Sequence, residues 1–328
     1  MTWLITGGAG FIGSHVVRAM LAAGERVAVL DDLSTGDPSR IPEGVPFVKG
    51  STLDGACLRR TLRELSVAGV VHLAAKKQVA ESVARPLHYY RENVHGLQTL
   101  LEACAESGVE AFVFSSSAAV YGMPDVDLVT EDTPCAPINP YGETKLAGEW
   151  MVRAAGKAHA MATASLRYFN VAGAATPELA DAGVFNLVPM VFEKISRGEA
   201  PVIFGEDYAT PDGTCVRDFI HVEDIASAHL AAARHLLARG PGTDLVLNIG
   251  RGEGVSVRRM IGLIGEVTGY GAECAPAGAP RRPGDPARVV ASAARIRDEL
   301  DWSARRDLRE MVTSAWDGWC LRHPGARR

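Results

Sequence analysis

The chain lacks the features that mark several large protein classes. No run approaches the roughly 18 apolar residues that a membrane-crossing helix needs. Basic residues are not in excess: Lys and Arg number 34 against 39 Asp and Glu, for a net charge of -5. That leaves no global positive field to draw in nucleic acid or anionic lipid. The six cysteines (57, 104, 135, 215, 274 and 320) form no C-x-x-C pair, which argues against a zinc ribbon and against a disulfide framework. The nine histidines show no H-E-x-x-H or other ligand spacing, so no metal is expected. The amino terminus has neither a basic region nor a cleavage site and reads as a strand, not a signal peptide. A reduced, cytoplasmic chain is the simplest expectation.

What is present is ordinary globular material: 328 residues, 47% hydrophobic and 22% charged. This is enough for a sizeable core and about two domains. The first half alternates short β-branched runs with longer amphipathic stretches. Strands are expected at 4–6, 26–30, 70–73, 111–115 and 164–169. Helices are expected at 11–23, 58–65, 87–107 and 140–159, with Gly24 and Gly108 as stops. That rhythm implies right-handed crossovers and a doubly wound parallel sheet covered on both faces. After Asn170 the segments shorten and Gly and Pro become frequent. Residues 205–218 and 272–288 read as loops, with a return to the sheet near 219–222 and at 245–249. No low-complexity linker or internal repeat separates the halves, so a ligand cleft is expected between them.

Thr6-Gly7-Gly8-Ala9-Gly10-Phe11-Ile12-Gly13 places glycines 7, 10 and 13 between the first strand and the first helix. Glycines there let backbone N–H groups approach a pyrophosphate, and the helix N-terminus adds partial positive charge. Asp31 lies eighteen residues beyond Gly13, at the end of the second strand. A carboxylate at that point accepts bonds from a ribose diol and repels a 2′-phosphate, which favours NAD over NADP. Downstream, Asn139-Pro140 precedes Tyr141-Gly142-Glu143-Thr144-Lys145. Tyr141 and Lys145 are i and i+4 on one helix face. A phenol with a pKa near ~10 is a poor base unless neighbouring positive charge lowers it, and the Lys145 ammonium with a cationic nicotinamide would supply that charge. Ser117, at the carboxyl end of the strand through Phe114, would present a hydroxyl to the same crevice.

These residues together resemble the extended short-chain dehydrogenase/reductase superfamily and, within it, the UDP-glucose 4-epimerases (UDP-galactose 4-epimerases). Further signals are Val71-His72-Leu73-Ala74-Ala75, the run from Glu81 to Tyr90, Asn93-Val94-His95-Gly96, and the stretch from Phe204-Gly205-Glu206-Asp207-Tyr208 to Val216-Arg217-Asp218-Phe219-Ile220-His221-Val222. The resemblance covers essentially the whole chain. It implies an α/β fold with a Rossmann-type NAD-binding domain over residues 1–169, return segments near 219–250, and a smaller α+β UDP-sugar-binding lobe over 170–328. It implies Ser117, Tyr141 and Lys145 as catalytic triad. Cofactor contacts are implied for Gly7, Gly10, Phe11, Ile12, Gly13, Asp31, Ala74, Lys77, Asn93 and Phe169, with Tyr141 and Lys145. Substrate contacts are implied for Ser117, Asn170, Asn186, Arg217, Arg282, Asp285 and Val289. A guanidinium pair at 217 and 282 suits a diphosphate, because each fork engages two oxygens at once.

Two departures bear on specificity. Ser51-Thr52 stand where the family often has an acidic residue followed by an aliphatic one, so Ser51 replaces the carboxylate contact to adenine. Val289 occupies a position where a bulky tyrosine accompanies restriction to plain hexoses, and a smaller residue implies activity on UDP-N-acetylhexosamines. The reaction implied is reversible inversion at sugar C4 through a transient 4-keto sugar, in galactose metabolism. The partners implied are a UDP-sugar and a second copy of the chain, docked through helices at 87–105 and 146–155, with neither nucleic acid nor membrane. Other readings are a UDP-glucuronate 4-epimerase or related sugar-nucleotide short-chain dehydrogenase, and a non-catalytic NAD sensor. Dehydration is disfavoured, since Ser117 is followed by Ala118-Ala119, which cannot transfer protons.

Overall fold

A computed structural model describes residues 1–282 and 284–327. Its strands run β1 (Thr2–Thr6), β2 (Arg26–Asp31), β3 (Phe47–Lys49), β4 (Val67–His72), β5 (Ala111–Ser117), β6 (Ala162–Tyr168), β7 (Asn170–Ala172), β8 (Val202–Phe204), β9 (Val216–His221), β10 (Asp244–Ile249), β11 (Gly254–Ser256), β12 (Ala277–Ala279) and β13 (Arg288–Val289). The helices are α1 (Phe11–Ala22), α2 (Gly55–Glu64), α3 (Val79–Ala84), α4 (Pro86–Tyr89), α5 (Gly96–Ser107), α6 (Pro140–His159), α7 (Leu187–Ser196), α8 (Val222–Arg239), α9 (Val257–Thr268), α10 (Ala294–Leu300) and α11 (Leu308–Arg322).

Seven strands form one parallel sheet in the order β10-β6-β5-β4-β1-β2-β3. Strand alternation sends successive side chains to opposite faces. Trp3 and Ile5 of β1 join Val16, Val113, Leu166 and Ile225 on the face covered by α1 and α8. Leu4 joins Leu58, Leu97, Phe112 and Phe114 on the face covered by α2, α5 and α6. Both layers are almost wholly out of solvent, and each large side chain so buried contributes about 1.5–3 kcal/mol.

The chain leaves this sheet at Phe169. β7 pairs with β9, and β9 also pairs with β11 and β13. The segment at 219–222 therefore does not return to the main sheet as expected. β9 belongs to the smaller one, whereas α8, β10 and α10 rejoin the first layer system, α10 through Ile296. The expected loop at 205–218 gives up its last three residues to β9, and that at 272–288 holds β12, paired with β8; Pro283 within it lies outside the described residues. Helices α7, α9 and α11 enclose a second core around Phe192, Met260, Trp316 and Trp319.

The expected helix over 87–107 is also modified. Residues Tyr90–His95 form a π-helical turn between α4 and α5. This wider turn places Asn93 inside the protein at 5% exposure.

Candidate active site

The carboxyl ends of β1, β2, β4 and β5 and the start of α1 border an open cleft. Gly7 turns the chain out of β1 with φ +73°, a conformation glycine adopts freely. A Cβ on Gly13 would sit 2.1 Å from the Gly7 carbonyl oxygen, so the turn closes only with glycine at both positions. Gly10 caps α1, and the first turn of that helix carries no acidic residue. Its N–H groups and dipole are therefore uncancelled where Gly10, Phe11, Ile12 and Gly13 line the cleft.

At the far end, Asp31 accepts from the backbone of Ala9 at 3.0 Å and of Leu33 at 2.8 Å. Burial raises its carboxyl above the usual range, against the lowering effect of those two bonds. Ser51 and Thr52 line the same end, although the Ser51 hydroxyl already accepts from Leu53 N at 3.1 Å. Ala74, Lys76 and Lys77 close the opposite wall. Lys76 Nζ donates to Ser34 at 2.9 Å, and Lys77 Nζ lies 3.9 Å from Asp181. Glycine cradle, acid-free helix terminus and a carboxylate at the end of β2 fit a dinucleotide of the NAD type.

Tyr141, Lys145 and Ser115 reach the middle of this cleft. Asn139 caps α6 by accepting from Gly142 N at 2.9 Å, and Pro140 takes the first helical position. That start fixes the phase of the helix and aims Tyr141 and Lys145 at the end of β5. The Lys145 ammonium donates to the Ser115 carbonyl at 2.8 Å and lies 5.9 Å from the Tyr141 ring centroid. The Ser117 hydroxyl accepts from Ala119 N at 3.2 Å and lies near enough to the Tyr141 phenol to favour the phenolate. Desolvation acts against both charged forms. It pushes the Tyr141 phenol upward and the Lys145 ammonium down to about 7. Burial thus works against the ionised pair, so the phenolate needs the further positive charge that the sequence assigns to a bound nicotinamide.

Other expected residues divide. Asn93 does not face the cleft: its amide accepts from Lys76 N at 2.8 Å and donates to Lys76 O and Thr144 Oγ1. It pins the Lys76 loop to α6. Phe169 also misses the cleft and packs with Tyr121, Leu146 and Val289 in an apolar cluster. The residue that reaches the cleft instead is Tyr168. Strand register could have found it, because Tyr168 pairs with Ser117 across β5 and β6 and so shares its face. Its hydroxyl meets His229 at 2.6 Å.

Arg217 and Asp285 are paired with each other in the smaller sheet region, and the Arg282 guanidinium stacks 3.7 Å over the Phe204 ring. Asn170 is exposed on β7. Asn186 stands at the start of α7 with no side-chain capping bond and lines a separate, small hollow. Val289, in register with Arg217, is buried. These six do not line the main cleft. Among the described residues no cluster of His, Cys, Asp or Glu could hold a metal ion, and no helix is long and apolar enough to cross a membrane.

Residues 3–250 match the model of the NAD dependent epimerase/dehydratase family. The UDP-glucose 4-epimerase of Azospirillum brasilense is 45% identical over 326 residues, spanning 96% of this chain and 91% of that one. A crystal structure of UDP-glucose-4-epimerase from Stenotrophomonas maltophila, with bound NAD and formylated UDP-arabinopyranose, superposes with a TM-score of 0.93 at 35% identity, over 99% of both chains. The UDP-Glc/GlcNAc 4-epimerase of Campylobacter jejuni superposes with a TM-score of 0.85 at 38% identity, over 97% of this chain and 98% of that one.

Proposed function

The chain belongs to the NAD-dependent epimerase/dehydratase family, among the UDP-glucose 4-epimerases, and on that premise we propose that it interconverts UDP-glucose and UDP-galactose. The observation that carries the reading is the meeting of Tyr141 and Lys145 with the Ser115 end of β5 in the cleft beside the glycine turn of α1, with Ser117 near the phenol. Bound NAD supplies a hydride acceptor that returns what it takes, so the sugar passes through a 4-keto form with no net redox change. Tyr141 takes the proton of the 4-hydroxyl, and Ser117 hydrogen-bonds the phenol so that the proton moves along a fixed line. Lys145, anchored on the Ser115 carbonyl, brings its charge beside the ring. Gly10 to Gly13, Asp31, Ser51, Thr52, Ala74 and Lys77 hold the dinucleotide. Asn170, Asn186, Arg217, Arg282 and Asp285 address the UDP, leaving the keto sugar free to present its other face. Inversion needs this division, with a nucleotide tightly held and a hexose loosely held. Incubating the purified protein with UDP-galactose, without added reductant, tests the reading. UDP-glucose is the expected product, and an unchanged sugar would overturn it.

The small side chain at Val289 supports turnover of UDP-N-acetylglucosamine as well. A protein that converts UDP-galactose but leaves the N-acetyl sugar untouched at saturation would limit the activity to plain hexoses.

A homodimer is the proposed assembly. Val83 on α3, Leu87 on α4 and Trp150 on α6 are 63%, 82% and 61% exposed, and those helices pack side by side. An apolar patch of this kind calls for a partner surface, and a second copy supplies a matching one. Six free thiols, five of them buried, support a reducing, cytoplasmic setting.

A further inference from the structure

Helix α6 carries a carboxylate that the proposed reaction does not use. Glu149 is one turn beyond Lys145 and two beyond Tyr141, on the same helical face, and is only 3% exposed. Three donors converge on it. Ser116 Oγ donates at 2.5 Å, Arg167 Nε at 2.8 Å and Arg167 Nη2 at 2.6 Å. Arg167, on β6, is equally buried, and its Nη1 donates to the Tyr121 hydroxyl at 2.8 Å. Tyr121 in turn donates to Asn248 Oδ1 at 2.7 Å, on β10. The network thus spans α6, β5, β6 and β10.

A buried ion pair costs several kcal/mol of desolvation per ion, and well-packed apolar residues usually stabilise a core as well or better. Stability alone does not account for the pair. Its geometry does. Two consecutive residues at the end of β5 are tied to successive turns of α6, the Ser115 carbonyl to Lys145 and the Ser116 hydroxyl to Glu149, and the next residue, Ser117, lies by the Tyr141 phenol. Lys145 and Tyr141 are the reacting groups. The Glu149 tie is charge-assisted, and its carboxylate is gripped at two points by Arg167.

We infer that Glu149 and Arg167 form a positioning pair, which clamps Ser116 to α6 and thereby keeps the Ser117 hydroxyl in hydrogen-bond register with Tyr141. Neither residue touches substrate or cofactor in this role. Loosening the clamp weakens the Ser117 bond, which favours the phenolate, so the pH at which turnover switches on moves upward.

The inference takes its kinetic readout from the epimerase reading above, but not its structural one. Ser116→Ala removes a single hydroxyl and leaves the ion pair whole. We expect a folded protein with KM for UDP-galactose within about twofold, kcat lowered roughly tenfold, and the acid limb of kcat raised by about half a pH unit or more. The double variant Glu149→Gln/Arg167→Met removes both buried charges together, so no uncompensated cation remains to unfold it. It is expected to keep the low kcat and the displaced limb. Arg167→Lys, charged but single-pointed, is expected to fall between wild type and the double variant. Hydrogen exchange without substrate should quicken at residues 113–119 and 140–150 alone. If the variants keep wild-type kcat and pH profile, or if kcat merely follows the melting temperature, the pair is structural and the inference fails. A wild type without UDP-galactose turnover would fail the epimerase reading instead, and local exchange would still decide the clamp.

Discussion

Lys145 places its 2.8 Å hydrogen bond on the carbonyl of Ser115, not on the phenol of Tyr141, whose ring centroid lies 5.9 Å away one turn back on the same helix face. The ammonium is thus fixed by the strand and its charge is left to act through space. Because desolvation lowers Lys145 to about 7 and raises Tyr141, the free protein holds its base protonated at neutral pH.

Tyr141→Phe removes the base without altering the cleft wall. Turnover of UDP-galactose should fall about 10²–10⁴-fold, while the NAD recovered per chain after denaturation stays at the wild-type level. Wild-type kcat in this variant would remove Tyr141 from its role.

Gly13→Ala tests the cradle. With a Cβ forced to 2.1 Å from the Gly7 oxygen, α1 must shift away from the turn. The variant should lose most of its NAD and melt several degrees lower, about 1–3 kcal/mol in stability. Full NAD content in a crude preparation would show that the turn tolerates the methyl group.

Acid should weaken the fold at unusually mild pH. His15, His221 and His229 are lowered to about 4 and His72 to about 3, in each case chiefly by burial. A depressed histidine stays neutral in the fold while the unfolded chain protonates near 6.5, so its contribution is whole above 6.5 and disappears as pH falls toward 4. Each is worth on the order of 3 kcal/mol. Asp218, raised to about 6 by burial, has the opposite slope, as do Asp31 and Asp224, also raised by burial, and together they offset part of the loss. The urea midpoint should therefore drop steadily between pH 7 and 4.5. A flat or rising midpoint would contradict these assignments.

Val289→Tyr fills space beside Phe169 and Leu146. The ratio of N-acetyl to plain substrate turnover should fall at least tenfold, with UDP-galactose turnover changed much less. An unchanged ratio would place the sugar's N-acetyl group elsewhere.

Leu87→Asp combined with Trp150→Glu puts charge into the exposed patch on α4 and α6. Sedimentation at micromolar concentration should show a dimer for the wild type and a monomer for the variant. A wild-type monomer would sink the assembly.

The main sheet was legible because β-branched runs and glycine stops mark its strands and helices directly; α6 begins and ends where Pro140 and His159 indicate. The glycine turn and the Tyr141/Lys145 face were legible for the same reason, being local. What escaped was parity and pairing. Tyr168 and Phe169 are neighbours, and only the register of β6 against Ser117 decides which one meets the cleft. Phe219–His221 looks like any central strand, yet its partner is β7, a three-residue strand too short to stand out. Asn93 sits in a helical pattern that gives no sign of a widened turn. The Glu149–Arg167 pair joins residues that only tertiary contact brings together.

The widened turn at Tyr90–His95 has a further consequence for how the chain tolerates change. It holds one residue more than a regular helix would use over the same rise. Because the surplus residue is taken up within the turn itself, the helix on either side keeps its phase, and Leu97 and Leu101 stay on the sheet. Deleting one of these six would restore even pitch without turning α5 away from its core, and the loss would fall on Asn93, which the widened turn aims at the Lys76 loop. Shortening the chain here should therefore loosen the cleft wall at Lys76 while leaving the packing of the sheet whole.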